Sequence, residues 1–330
     1  MSKDIDYLYA SARVRCLELG LLNQDRIERM LFAKSTDEAL KILSECGYGD
    51  VRLNSLADLD FVISAQREKA YELFERISLD KEMTDIFRIK YDYHNIKVII
   101  KSFDNKYDYL YIPFGRFDTS ELETIIRESD YYKLNPVMNK AVFDAKEILA
   151  RTSNPQFSDF ILDRASFEEM KSAAEKTKSD FIINYVKLLI DINNLRAFVR
   201  CRNMKNSSDL LTHSVFEGGN IDTTNLFKSI DDTSIKVENI YAMTTLEDAA
   251  KLGDDALING KSLTAFEKNC DDTVVEYLKK AKYVSFGIEP IFSYFAAKEA
   301  EFSAVRTIIS GKFSDVSVDI IRERLRVAYV

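Results

Sequence analysis

Three stretches of nine residues in this chain follow one pattern, and any fold it adopts must hold that pattern three times. They read Asp92-Tyr93-His94-Asn95-Ile96-Lys97-Val98-Ile99-Ile100, Asp191-Ile192-Asn193-Asn194-Leu195-Arg196-Ala197-Phe198-Val199 and Glu301-Phe302-Ser303-Ala304-Val305-Arg306-Thr307-Ile308-Ile309. Each opens on an acid, sets an apolar residue before a cation and closes on an apolar pair. The third departs at Ala304, where the first two carry Asn95 and Asn194. Asn95, Asn194 and Ala304 lie 99 and 110 residues apart, too far for helical solenoids, whose units run roughly 33–47 residues. Aligned on the pattern, Ile89, Tyr93, Ile96 and Ile100 match Leu188, Ile192, Leu195 and Val199, then Lys298, Phe302, Val305 and Ile309. Steps of three and four put one apolar stripe on each helix. The expectation is an all-α chain of three similar helical bundles, residues 1–110, 111–210 and 211–330, about an approximate threefold axis, the first also packing with the C-terminal helix.

Within each motif the acid (Asp92, Asp191, Glu301) and the cation (Lys97, Arg196, Arg306) stand five residues apart. That is about 500° around a helix, so they cannot pair on their own helix. Two readings stay open: bonds to polar groups on adjacent helices that fix how the bundles assemble, or solvated surface charge. Lys298 alone interrupts the stripes, and its stem can cover apolar surface while the ammonium reaches water.

Composition agrees with long helices. Glycine occurs 10 times and proline 4 times in 330 residues, whereas chains of many strands and tight turns need both far more often. Apolar residues at 46% and charged residues at 30% support a buried core under a charged surface. The first helix shows its face at Tyr7, Ala10, Val14, Leu17 and Leu21. Helix starts of capping-box form fall at Ser35/Glu38, Ser120/Glu123, Ser166/Glu169, Thr244/Glu247 and Thr264/Glu267, where a hydroxyl can accept from the first turn and the glutamate can reach back. Breaks are expected at Gly47-Tyr48-Gly49, Ile112-Pro113-Phe114-Gly115, Ser153-Asn154-Pro155, Asn206-Ser207-Ser208, Gly218-Gly219-Asn220 and Gly311-Lys312. The loops around Tyr48, Pro113, Pro136 and Gly218 are candidate partner contacts, because binding residues tend to ride on loops held by a rigid scaffold.

The formal charge of −8 repels a phosphate backbone or an anionic bilayer on average, so no nucleic-acid partner is expected. The arginines 322, 324 and 326, interrupted by Glu323, read as a solvated helix face. Cys16, Cys46, Cys201 and Cys270 lie far apart without the spacing of a zinc site, and read as small core residues in a reducing compartment. The start, Met1-Ser2-Lys3-Asp4-Ile5-Asp6, lacks a secretory pattern. Phe181 to Val199, the most apolar stretch, carries Asn184, Lys187, Asp191 and Arg196 and reads as a core helix, not a membrane span.

Two histidines are available for acid–base work at neutral pH. His94 lies inside the first motif, where a polar packing role is expected, and His213 falls in an expected loop. No phosphate loop, nucleophile elbow or H-E-x-x-H pattern is present. No catalytic residue, cofactor, metal or small-molecule substrate is therefore expected.

Several segments resemble the C subunit of bacterial and archaeal V/A-type rotary ATPases, the counterpart of the d subunit of the eukaryotic V-ATPase. They are Tyr9-Ala10-Ser11-Ala12-Arg13-Val14-Arg15, Ala33-Lys34-Ser35-Thr36-Asp37-Glu38-Ala39-Leu40, Lys90-Tyr91-Asp92-Tyr93-His94-Asn95-Ile96-Lys97, Asn194-Leu195-Arg196, Lys298-Glu299-Ala300-Glu301 and Ile321-Arg322-Glu323-Arg324-Leu325. The resemblance implies a funnel of three helical domains about a pseudo-threefold axis. It implies as partners the membrane proteolipid rotor ring at the closed face and the D and F subunits of the central stalk in the mouth. It also implies a cytoplasmic protein, peripheral to the membrane through that ring, that passes torque without chemistry of its own. A helical scaffold of another multisubunit complex stays open as the alternative, and an enzyme built on His94 or His213 as a more distant one.

Overall fold

The computed structural model describes residues 3–102, 108–202, 204, 207–232 and 234–330. Met1, Ser2 and Asn206, which entered the expectations above, lie outside these. Among the described residues the secondary structure is helical and no strand occurs. In chain order the α-helices are α1 (Leu8–Glu18), α2 (Gln24–Phe32), α3 (Thr36–Leu43), α4 (Leu56–Ile77), α5 (Lys81–Ser102), α6 (Thr119–Glu128), α7 (Pro136–Thr152) and α8 (Pro155–Thr177). They continue with α9 (Asp180–Arg202), α10 (Ser207–Ser214), α11 (Thr224–Ser229), α12 (Val237–Ile240), α13 (Glu247–Asn259), α14 (Thr264–Lys279), α15 (Ile288–Phe313) and α16 (Val318–Arg324).

Several helices start where side chains satisfy the orphan N–H groups of a first turn. Asn23, Ser35, Asp118 and Asn135 each accept from the backbone two or three residues on, and Pro136 and Pro155 fill first-turn positions that need no donor. Of the five expected capping boxes, Ser35 alone caps its helix. Ser120 sits one residue inside α6, which Asp118 caps instead, and Ser166 lies mid-way along α8. Thr244 bonds back to the Tyr241 carbonyl, and Thr264 is already helical. The reciprocal box is at Ser55 and Asp58, missed because aspartate replaces the glutamate of the pattern. Ser55→Ala is expected to lower stability by about 1 kcal/mol in urea unfolding, with Ser120→Ala near zero.

The chain forms two compact units, residues Met1–Leu79 with Val237–Val330 and residues Asp80–Lys236. In the first, α15 is the spine, contacted by α1, α3, α4, α14 and α16. Phe295 of α15 stacks on Phe74 of α4 with ring centres 4.2 Å apart and meets Tyr71 edge-on at 4.7 Å. Ser11 of α1 exchanges hydrogen bonds with the backbone of Gly287, 276 residues away in sequence, so this unit is built from the two ends of the chain. Gly311 does not break α15, as its sequence suggested. A Cβ there would lie 2.6 Å from Ile321 Cδ1, so the missing side chain lets α16 lie against α15.

In the second unit α8 is the centre, packed by α5, α7 and α9. The motif stripes are buried: Ile96, Leu195 and Val305 are each fully inaccessible. Lys298 does not reach for water. It pairs with Glu301 at 2.5 Å and lies over the rings of Tyr48 and Phe302. Cys46, Cys201 and Cys270 are buried as expected, but Cys16 is exposed on α1. Arg322 pairs with Glu28 and Arg326 with Asp271, at 2.9 and 2.6 Å. No helix among the described residues is long and apolar enough to cross a membrane.

Candidate functional site

In the first two motifs the acid and the amide together grip a loop. Asn95, on α5, donates from Nδ2 to the Ile112 carbonyl and accepts the Ile112 N–H at Oδ1, both at 2.9 Å. One turn earlier, Asp92 accepts the Arg116 N–H at 2.8 Å, the Phe117 N–H at 3.3 Å and the Arg116 Nε at 2.6 Å. The second motif repeats this. Asn194, on α9, exchanges two 2.8 Å bonds with the backbone of Phe216. Asp191 accepts the N–H groups of Asn220 and Ile221 at 2.9 and 3.2 Å, and the Asn220 amide at 3.2 Å. The spacing within each loop is identical, since the acid holds positions four and five beyond the residue that the amide holds.

Both loops carry glycine at the same place. A Cβ on Gly115 would sit 2.2 Å from Asp92 Oδ1, and one on Gly219 would sit 2.0 Å from Asp191 Oδ1. Real Cβ atoms never come so close, so each buried carboxylate requires a glycine in the loop that it holds. Asn and Asp differ in role here: the amide both donates and accepts, mimicking a strand partner, while the carboxylate only accepts.

The third motif is latched differently. Ala304 has no amide, and Glu301 accepts the Leu22 N–H at 2.7 Å, the Tyr48 hydroxyl at 2.8 Å and the Lys298 ammonium at 2.5 Å. Leu22 immediately precedes Asn23, the cap of α2, just as Phe117 precedes Asp118, the cap of α6. The loop closing the third motif therefore comes from the beginning of the chain. All three acids thus accept from backbone N–H groups in loops, and Glu301 accepts from the Tyr48 and Lys298 side chains as well.

The latches differ in charge. Arg116 joins Asp92 to Glu169 at 2.6 and 2.7 Å, and Glu169 also accepts from Tyr93 and Asn135. Burial raises the Asp92 carboxyl above the usual carboxylate range, and Arg116 and the two N–H groups pull it back part of the way. Asp191 has Asn220 where Asp92 has Arg116, and burial again lifts its carboxyl. A carboxylate raised in the folded state binds a proton there before the unfolded chain does, so its contribution to stability is present below about pH 3.9, the unfolded value, and is lost as pH rises through the folded value. Carbon-13 NMR of Asp191 should show a titration midpoint above that of free aspartate, and a midpoint at or below it would contradict this account of its burial.

Two of the motif cations meet acids on adjacent helices, in line with the first of the two readings. Lys97 pairs with Asp163 of α8 at 2.5 Å and Arg306 with Asp60 of α4 at 3.1 Å, while Arg196 is half-buried on α9. His94 Nε2 hydrogen-bonds to the Leu110 carbonyl at 3.0 Å. His213 is not in a loop but in the last turn of α10, edge-on to Phe157. Of the expected contact loops, Pro113 is exposed and Gly218 half-exposed in their loops. Pro136 is exposed as the first residue of α7, while the Tyr48 side chain is buried against Glu301 and Gly47 and Gly49 on either side of it are exposed. Among the described residues no group of three or more His, Cys, Asp and Glu is placed to hold a metal ion.

The family model of the ATP synthase (C/AC39) subunit matches residues 10–324, which takes in all three motifs and all three latches. The chain belongs to that family. Similar C/AC39 relatives include the C subunit of the V-type sodium ATPase of Enterococcus hirae, 22% identical over 98% of this chain and 99% of the relative. The C subunit of the A-type ATP synthase of Methanocaldococcus jannaschii is 24% identical over 97% of this chain and 86% of the relative, and that of Halobacterium salinarum is 23% identical over 97% of both. The chain is thus a subunit of the V/A-type ATP synthase class, matched along almost its whole length. The loops are hard to find from sequence because the latched residue follows its asparagine by 17 positions in one repeat and 22 in the other. The shared signal is the order of apolar residue, glycine, apolar residue in Ile112-Pro113-Phe114-Gly115-Arg116-Phe117 and Phe216-Glu217-Gly218-Gly219-Asn220-Ile221.

Proposed function

We propose that this chain is the central-stalk adaptor of a V/A-type rotary ATPase, joining a shaft of D and F subunits to the membrane proteolipid ring and transmitting torque between them. The observation that carries the reading is the family match over residues 10–324, with relatives named as the C subunit of V-type and A-type machines at nearly full length. The motif latches support it physically. A torque adaptor must keep its loops from yielding under load, and a loop held by paired backbone bonds to a buried amide and acid is stiff without chemistry.

In this reading the chain is non-catalytic and sits in the cytoplasm, peripheral to the membrane through the ring. The three motifs mark three similar domains, about residues 1–110, 111–210 and 211–330, arranged as a pseudo-threefold funnel, with the beginning of the chain completing the third. Asp92, Asn95, Lys97, Asp191, Asn194, Arg196, Glu301 and Arg306 are its structural repeat positions, and the Tyr48, Pro113, Pro136 and Gly218 regions its contact edges.

Deleting the chain tests this. Membrane vesicles from the deletion strain should lose ATP-driven ion uptake while released catalytic heads still hydrolyse ATP, and the purified chain should restore uptake. Uptake unchanged by the deletion would refute the adaptor role.

A further inference from the structure

A second surface, between α15 and α16, brings two arginines together. Where α16 folds back on α15, a groove of about 360 Å³ opens between them. Arg306 and Arg324 line it, with the hydroxyl residues Thr307, Ser310 and Ser314, and no carboxylate is among its lining residues. That is unusual on a chain of net charge −8. The rest of the lining is apolar, and Val316 and Ile320 stand exposed at 37% and 48%. The groove is a feature of the fold, since Gly311 allows Ile321 to pack against α15 and the Val316 N–H bonds to the Gly311 carbonyl at 2.9 Å.

Asp315 and Glu323, next to Ser314 and Arg324 in sequence, are exposed and are not among the lining residues. Asp319 turns to Arg322 at 3.3 Å. Asp60 meets Arg306 at 3.1 Å, but both side chains are about half exposed or more, and such pairs contribute little and exchange readily. Arg324 has an exposed side chain and no ion pair among the described residues.

We propose that this groove docks an acidic, amphipathic segment of a partner protein, its carboxylates on Arg306 and Arg324 and its apolar side chains on Val316 and Ile320. Bidentate carboxylate recognition is what arginine does best. A bilayer surface is the poorer fit: the site is concave, holds two cations where lipid-binding clusters use about four to eight, and belongs to an anionic protein. The inference rests on the reading that the chain works inside a protein assembly.

The test is photo-crosslinking in the full chain within its membrane-bound assembly. With Ser314→p-benzoylphenylalanine, irradiation should give an adduct to a protein segment bearing clustered Asp or Glu beside apolar residues. Arg306→Glu with Arg324→Glu should cut the adduct by at least about tenfold, while the two lysine replacements keep most of it. An adduct to lipid, an adduct to a segment without carboxylates, no adduct, or indifference to charge reversal would each overturn the proposal. If the ring and stalk proteins are recovered in the same sample without the groove adduct, this inference fails and the adaptor reading stands. If they are absent, it is the adaptor reading that fails.

Discussion

Asp92→Ala is expected to destabilise the protein by about 3 kcal/mol, the lower end of what breaking a buried ion pair costs. The carboxylate is completely buried, and its removal leaves the Arg116 and Phe117 N–H groups without an acceptor and Arg116 with Glu169 as its remaining counter-charge. Glu169 keeps the loss from being larger. Asp191→Ala removes an equally buried acceptor but strands no cation, because Asn220 replaces Arg116 at that position. Its cost should be about 1–3 kcal/mol, the range for orphaned buried donors. Urea unfolding of the two variants decides the matter. Equal losses would mean that Arg116 contributes nothing to the first latch.

Gly219→Ala should cost about 2–3 kcal/mol, the effect of forcing a methyl into filled space. The new carbon would meet Asp191 Oδ1 at 2.0 Å and Cγ at 2.8 Å, so the loop must leave the acid or the acid must turn away from its donors. Coupling gives the sharper signature. In an Asp191→Ala background the clashing carboxylate is absent, and Gly219→Ala should then be far milder than in the parent chain. Strict additivity of the two changes would show that the glycine is needed for some reason other than the approach of that acid.

The helices that carry the motifs were legible in the sequence because their apolar stripes follow helical periodicity without help from tertiary structure. The partners of the motif acids were not. Asp92, Asp191 and Glu301 bond to loops 24 residues or more away in sequence, or to the other end of the chain, and local pattern is silent on such pairings. Gly311 looked like a break because glycine usually ends helices, whereas here it makes room for Ile321. Lys298 looked like a solvated intrusion because its stripe position said nothing of Glu301 one turn on or of the Tyr48 ring beneath it. Tyr48 sits in a glycine-flanked turn, which suggested a surface loop, yet the turn points the phenol inward, and burial and Glu301 together raise its hydroxyl well above the ordinary tyrosine range.

Recovery of partners is the most direct test of the proposed coupling of shaft to ring. An affinity-tagged copy, extracted from membranes in mild detergent and analysed by mass spectrometry, should bring down the proteolipid of the ring together with the D and F subunits, and should keep them at physiological salt. Recovery of the intact chain with neither the proteolipid nor the stalk proteins, or with the components of some other complex in their place, would contradict the account.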